Sequence, residues 1–271
     1  ISKYDIIYMV IKMHRELITI GPITIYWYSV IIITAIVIGI YFSSKKAEKN
    51  GLGKDFLLDL IFYLIPVGVL GARIYYVIFN YSVFKGDYLS IFKIWEGGLA
   101  IYGAVISSII FIIYYCKKKN KDIYLTLDTL VPYLILGQAM GRWGNFINKE
   151  AHGAITTYEH LKNLHIPNFI IEGMKINGFY YIPTFLYESV WCIIGFIILL
   201  IVRKKDNFKH TGLLLYIYFI WYGIGRLIIE GLRTDSLYLG VFRISQIVSI
   251  ILILIGIIGI IYRRIKWKNI K

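Results

Sequence analysis

The chain is patterned in long apolar runs rather than in short amphipathic stripes. Seven runs, at about 24–43, 57–79, 99–116, 123–147, 184–202, 212–232 and 243–262, approach the roughly 20 residues that span a bilayer as a helix. Short polar segments separate them, with one longer connection at 148–183. The pattern predicts an all-α polytopic membrane protein of about seven transmembrane helices. Residues 1–271 read as a single integral-membrane domain, with 148–183 as a small cap on one side.

The first residues carry no cleaved-signal pattern, because Lys3, Asp5, Lys12, Arg15 and Glu16 interrupt the apolar residues and no small-residue cleavage site follows. YDIIYMVIKMHRELI reads equally as a short helix lying on the membrane surface or as a disordered terminus.

Composition agrees with the spans. The chain is 58% hydrophobic and 17% charged, where soluble domains sit near a quarter charged. The net charge of +14 suggests nucleic-acid binding at first sight, but its distribution points elsewhere. SSKKAEKNGLGKD, KKKNK (117–121), RKKDNFKH (203–210) and the tail RRIKWKNIK (263–271) lie in alternate connections and hold seventeen of the thirty Lys and Arg. By the positive-inside rule these face the cytoplasm, which puts the N-terminus and the cap outside and the C-terminus inside. No nucleic-acid partner is expected. Neither Cys116 and Cys192 nor the five histidines have metal or redox spacing, so no metal or cofactor is expected either.

Arg73, Arg142, Arg226 and Arg243 break the charge pattern. All four fall within or at the edge of a span, on its outer side in this orientation. Snorkelling to the headgroups accounts for any one of them, but poorly for four, since a central arginine costs roughly 2.5–3.5 kcal/mol to insert. Together they suggest one anionic site at outer-leaflet depth, where the phosphate of a phospholipid matches the planar guanidinium fork.

Other polar residues accompany them. Arg142 and Asn145 share a helix face at i, i+3 and need polar partners or a wet cavity, while Gly137 and Gly141 are explained by close helix packing. Arg226 and Glu230, at i, i+4, read either as an internal ion pair or as an arginine held in one rotamer for a ligand. Glu188 adds a carboxylate at the same depth. The glycines of WEGGLAIYG predict non-ideal backbone before the third span, where Tyr102 either faces a cavity or packs at the interface.

The stretch GRWGNFINKEAHG (141–153) closely resembles the signature of the prolipoprotein diacylglyceryl transferase family. IYWYSV, GARIYYVIF, WEGGLAIYGAVI, PTFLYE and YGIGRLIIEGLRTDS agree with that family in order and spacing, over nearly the whole chain. EAHG and EGLRTDS look most like its Gram-positive branch. The resemblance implies an enzyme of the bacterial cytoplasmic membrane with its site facing outward. It would move a diacylglyceryl group from phosphatidylglycerol to the thiol of a lipobox cysteine in an exported prolipoprotein. A thioether would form and glycerol phosphate would leave, the first step of lipoprotein maturation. The implied partners are phosphatidylglycerol, the lipobox peptide and membrane lipids.

Carried over by position, Arg142 is implied to bind the lipid phosphate, with Asn145, Glu150 and Gly153 shaping its site. Arg226 and Glu230 match a sixth-span pair, Arg233 a following arginine and Tyr28 a first-span tyrosine. Arg73 joins these as a substrate-binding candidate. Tyr102 and Ile182 depart from the pattern, because many members have histidine at both positions. This leaves two routes to the thiolate, whose free pKa is near 8.5: stabilisation by the arginines, or proton transfer to Tyr102 or Glu230. A transporter of anions or lipids is the alternative, although the chain lacks the inverted repeat that such folds usually carry.

Overall fold

The computed structural model describes residues 15–21, 23–236 and 238–268. Its frame is seven long helices, each long and apolar enough to cross a membrane. They are α1 (Trp27–Lys49), α2 (Lys54–Phe79), α3 (Ile101–Lys118), α4 (Ile123–Asn148), α7 (Thr184–Asp206), α8 (Leu213–Glu230) and α9 (Ile244–Lys268), with short helices α5 (Tyr158–Asn163) and α6 (Asn168–Gly173) between α4 and α7. The protein is thus a multi-pass, all-α membrane protein, as the apolar runs predict. Burial is inverted relative to a soluble fold. Thr126, Asp128, Thr184, Glu188 and Glu230 are buried, while Ile33, Phe62, Ile78, Ile110 and Ile258 are exposed on the helices. Such a surface is stable only against hydrocarbon, where the helical backbone already satisfies its own hydrogen bonds.

Just before α1 the sequence expectation needs correcting. Glu16–Ile20 (β1) and Ile23–Tyr26 (β2) form an antiparallel hairpin with Thr19 opposite Thr24 and Ile20 opposite Ile23. Residues 16–18 are therefore neither helical nor disordered, and the first long helix starts at Trp27 rather than near 24. Two β-branched runs flank a turn at Gly21, whose φ of +59° suits glycine. The rest of the proposed surface helix, before residue 15, lies outside the described residues.

The chain divides into two compact units. One comprises Ile1–Gly39 with Leu130–Lys271, and the other Ile40–Thr129. In the second unit α2 and α3 pack side by side, and Ser107 on α3 donates to Val67 O at 3.2 Å. Three 3₁₀ turns, Tyr81–Phe84, Tyr88–Phe92 and Ile94–Glu96, join the two helices. In the first unit, Trp191 of α7 and Trp221 of α8 stack at 4.3 Å, and each indole N–H donates to the other's carbonyl at 2.9 Å. Trp143 of α4 donates to Ser189 of α7 at 3.1 Å, and Ser189 in turn to Ala139 O at 3.0 Å. These bonds fix α4, α7 and α8 against one another where apolar side chains alone would leave them free to slide.

Residues 148–183 fold into α5, α6 and a small sheet of Ile155–Thr156 (β3), Lys175–Ile176 (β4) and Phe179–Tyr181 (β5), in the order β3-β5-β4. Leu161, Ile170, Ile171 and Met174 from this segment are buried with Phe146 of α4 and Phe185 of α7, whose rings stack at 4.6 Å. The segment is anchored by its own apolar core to the ends of two long helices. A last hairpin, Tyr238–Leu239 (β6) and Phe242–Arg243 (β7), leads into α9.

Candidate active site

Four elements of the first unit bring charged side chains together around one carboxylate. Glu188 sits one turn into α7, and its side chain is only 6% exposed. Arg142, near the end of α4, places Nη2 at 2.6 Å from Glu188 Oε2. Arg226, near the end of α8, donates from Nη1 to Glu188 Oε1 at 2.9 Å. Arg233, just beyond α8, brings Nη1 to 3.8 Å from the same oxygen. Arg226 Nη2 also lies 2.6 Å from Oε2 of Glu230. That contact is close but off the N–H axis, so Glu230 Oε2 is ion-paired without an aligned hydrogen bond.

The expected i, i+3 and i, i+4 pairs are both present. Arg142 Nη1 is 3.5 Å from Asn145 Oδ1, a contact at the outer limit of a hydrogen bond. Asn145 Nδ2 donates to Glu150 Oε1 at 2.9 Å, and Asn148 Nδ2 to the same oxygen at 3.2 Å. Glu150 reaches back because α4 ends sharply. Lys149 and Ala151 both have φ of +56°, and Glu150 N donates to Asn145 O at 3.0 Å in the manner of a helix C-cap. Two non-glycine residues in left-handed backbone side by side with this carboxylate are the kind of local strain that functional sites hold.

The chain beyond α8 is stitched to the segment after α4. Gly153 forms an antiparallel bridge with Arg233 and donates its N–H to Ile182 O at 2.9 Å. A Cβ on Gly153 would lie 2.8 Å from Ile182 Cβ and 3.0 Å from Leu232 O, so only glycine fits. Arg233 holds Asp235 with a two-pronged contact, Nε–Oδ1 at 2.9 Å and Nη2–Oδ2 at 2.8 Å. Burial alone would raise the Asp235 carboxyl, but the Arg233 fork outweighs it and holds Asp235 below the usual carboxylate range. Arg243 caps the cluster from β7, donating from Nη1 to Glu230 O and from Nε to Tyr238 OH at 3.0 Å. Tyr28 of α1 packs its ring against Gly144, where any side chain would collide with it.

Arg142, Asn145, Glu150, Arg226, Glu230 and Arg233 are thus brought together, with Gly153 as a backbone junction and Tyr28 beside α4. Tyr102 and Arg73 belong to the other unit. Tyr102 lies in the first turn of α3, its ring 6.4 Å from that of Tyr75. For Arg73 the geometry corrects the expectation of a lipid contact. Its five N–H groups point at five backbone carbonyls: Ile91 at 2.8 Å, Gly97 at 2.7 Å, Gly98 at 3.0 Å, Ser90 at 2.6 Å and Lys93 at 3.4 Å. The side chain is buried and has no donor left for a ligand.

Sequence reasoning noted Glu188 but did not place it in the site, and it missed Asp235. The signal for Glu188 was a glutamate at the start of an apolar span, the one carboxylate there able to meet arginines from two other helices. Chemically, the cluster presents two guanidinium forks on Glu188, and Glu188 and Arg226 line a narrow cleft with Cys192 and Tyr222. The described residues leave donors on Arg142 and Arg226 without protein acceptors, so a further oxyanion can be bound there.

Comparison with known proteins identifies relatives of the whole chain. A family model described as prolipoprotein diacylglyceryl transferase matches residues 15–262. The chain is 46% identical over 252 residues to a protein of Ligilactobacillus salivarius named phosphatidylglycerol–prolipoprotein diacylglyceryl transferase, covering 91% of this chain and 94% of the relative. Proteins of the same name from Listeria innocua and Staphylococcus aureus are each 48% identical over 249 residues. They cover 92% of this chain in both cases, and 89% and 88% of the relatives.

Proposed function

The chain belongs to the prolipoprotein diacylglyceryl transferase family, and we propose that it transfers a diacylglyceryl group from phosphatidylglycerol to the thiol of a prolipoprotein lipobox cysteine. The observation that carries this reading is the convergence of Arg142 and Arg226 on one buried carboxylate, with donors of both left over. Two such forks at one point suit a phosphodiester headgroup.

In this reading the lipid phosphate docks on the free donors of Arg142 and Arg226, and Glu188 and Glu230 hold the two guanidinium groups in register. Asn145, Glu150 and Arg233 complete the polar wall, and Tyr28 and Gly153 fix its backbone and flank. The peptide thiol gives up its proton to water at the membrane surface, and the thiolate sulfur attacks the diacylglycerol carbon that bears the phosphate. A C–S bond forms as the C–O bond breaks, and the electron pair leaves on the phosphate oxygen of glycerol phosphate. The arginines act twice, stabilising thiolate and then the charge on the leaving group. Arginine electrostatics is the larger contribution, because Glu230 is held by Arg226 and a tyrosine is neutral near pH 7.

The basic connections support a site that faces the outside of the bacterial cytoplasmic membrane, with residues 148–183 as its cap. No observation favours the transporter reading. The test is lipid transfer by the purified protein, given labelled phosphatidylglycerol and a lipobox-cysteine peptide. A peptide mass gain of one diacylglyceryl group with release of glycerol phosphate is expected. A folded protein that leaves the peptide unmodified with both substrates present would overturn the assignment.

A further inference from the structure

At the end of the second unit opposite Arg73, the start of α2 and the end of α3 enclose a groove of about 290 Å³. This is near the lower bound of small-molecule sites, roughly 300–1,000 Å³. Its wall is aromatic. Tyr115 stacks on Phe56 at 5.7 Å and on Phe111 at 5.6 Å, with Tyr63 at 6.3 Å. Lys118 and Lys119 line it, and they and the neighbouring Lys121 rest on aromatic faces. Lys118 Nζ lies 5.7 Å from the centre of the Tyr114 ring, Lys119 Nζ 5.8 Å from Tyr115 and Lys121 Nζ 5.8 Å from Phe56. Asp59 also lines the groove, and among the described residues it forms no ion pair with these lysines.

We propose that this groove binds an anionic phospholipid of the surrounding bilayer whose headgroup carries free hydroxyls. The chemistry divides along its depth. Tyr63 and Phe111 offer an apolar wall to the upper acyl carbons, as aromatic rings do at membrane interfaces. Lys118 and Lys119 supply the positive charge for a phosphate, and basic pockets between membrane helices hold anionic headgroups in this way. Asp59 is an acceptor that repels a bare phosphate but takes hydrogen bonds from hydroxyls. A lysine pair with one unpaired carboxylate therefore favours a polyol phosphate over a phosphate alone. The groove is independent of the transferase reading, because the arginine cluster lies in the other unit.

The test uses the full chain in lipid nanodiscs, with photoreactive headgroup probes and cross-links mapped by peptide mass. A phosphatidylglycerol probe should label peptides within 56–63 and 111–121. Lys118→Ala with Lys119→Ala should cut that labelling about thirty-fold, leaving transfer activity and labelling near Arg142 unchanged, while the Arg pair at the same positions restores the labelling. Asp59→Asn should erase the preference for a phosphatidylglycerol probe over a phosphatidic acid probe. Equal labelling by a phosphatidylcholine probe would show an unselective aromatic belt and overturn the proposal. Labelling that is indifferent to both lysines, or confined to the Arg142 region, would overturn it as well.

Discussion

Arg142 and Arg73 are both arginines placed near the ends of membrane helices, yet they are held in opposite ways. Arg142 is held by carboxylate, with Nη2 against Glu188 and a long contact to Asn145, so among the described residues most of its donors have no protein acceptor. Arg73 is held by backbone, with every N–H on a carbonyl of residues 90–98. A carboxylate partner is an anion that another anion can join or displace, whereas a set of carbonyls converging on one guanidinium leaves no coordination site. The first arrangement suits a ligand-binding arginine. The second suits a clamp that folds three 3₁₀ turns onto the end of α2. Position in a span does not separate the two, but the nature of the acceptors does.

The largest effect expected from this contrast is on transfer. Arg142→Lys keeps a positive charge but loses the fork, and should lower transfer by about 10²–10³-fold, the usual loss for one donor to a developing oxyanion. Thermal unfolding in detergent should barely move. Near-normal transfer by this variant would remove Arg142 from the site. Arg73→Lys should do the reverse. An ammonium has three donors and cannot serve five carbonyls, so about 3 kcal/mol of stability should be lost. A melting temperature equal to that of the parent would rule out the clamp.

Gly98→Ala probes the same clamp from the other side, with a smaller effect. Gly98 has φ of +69°, and a Cβ there would lie 2.5 Å from Arg73 Nη1. Left-handed backbone plus a shifted guanidinium should cost about 2 kcal/mol, read as a drop in melting temperature. Gly86→Ala, also at positive φ (+99°) but with nothing within 4 Å of its Cβ, is the control. If the two variants lost equal stability, strain alone would account for the change and contact with Arg73 would not be needed.

Which parts of this were legible in the sequence follows from the range of the interactions. The seven helices were legible because a bilayer demands some 20 apolar residues at a stretch. Arg142 with Asn145, and Arg226 with Glu230, were legible because helical spacing puts them on one face. Glu188 as the shared partner was not, since its arginines arrive from α4, α8 and the segment beyond α8, which only tertiary packing brings together. The carbonyl cage of Arg73 was not legible either, because backbone acceptors carry no sequence signature and a buried arginine looks the same whatever holds it. The glycines of WEGG gave the one hint, and Gly97 and Gly98 do have positive φ. The β1–β2 hairpin was missed because apolar β-branched residues next to a span merge into its hydropathy.

The smallest effect separates arginine–carboxylate pairs by exposure. Arg233 and Asp235 make the most regular two-pronged pair in the cluster, but the Asp235 side chain is 48% exposed whereas that of Glu188 is 6%. Solvent screening should hold its contribution below about 1 kcal/mol. The sign follows from the lowered carboxyl of Asp235. Its folded-state value lies below the unfolded value near 3.9, so the stabilisation is fully present above about pH 4 and is lost as pH falls through the folded value. Arg233 remains charged throughout and adds no slope. Asp235→Asn should therefore melt slightly below the parent at pH 7, and the two curves should converge as the pH is taken below about 4. A gap that persists at low pH would mean that Asp235 acts through its hydrogen bonds and shape. Its charge would then not be what keeps Arg233 directed at Glu188.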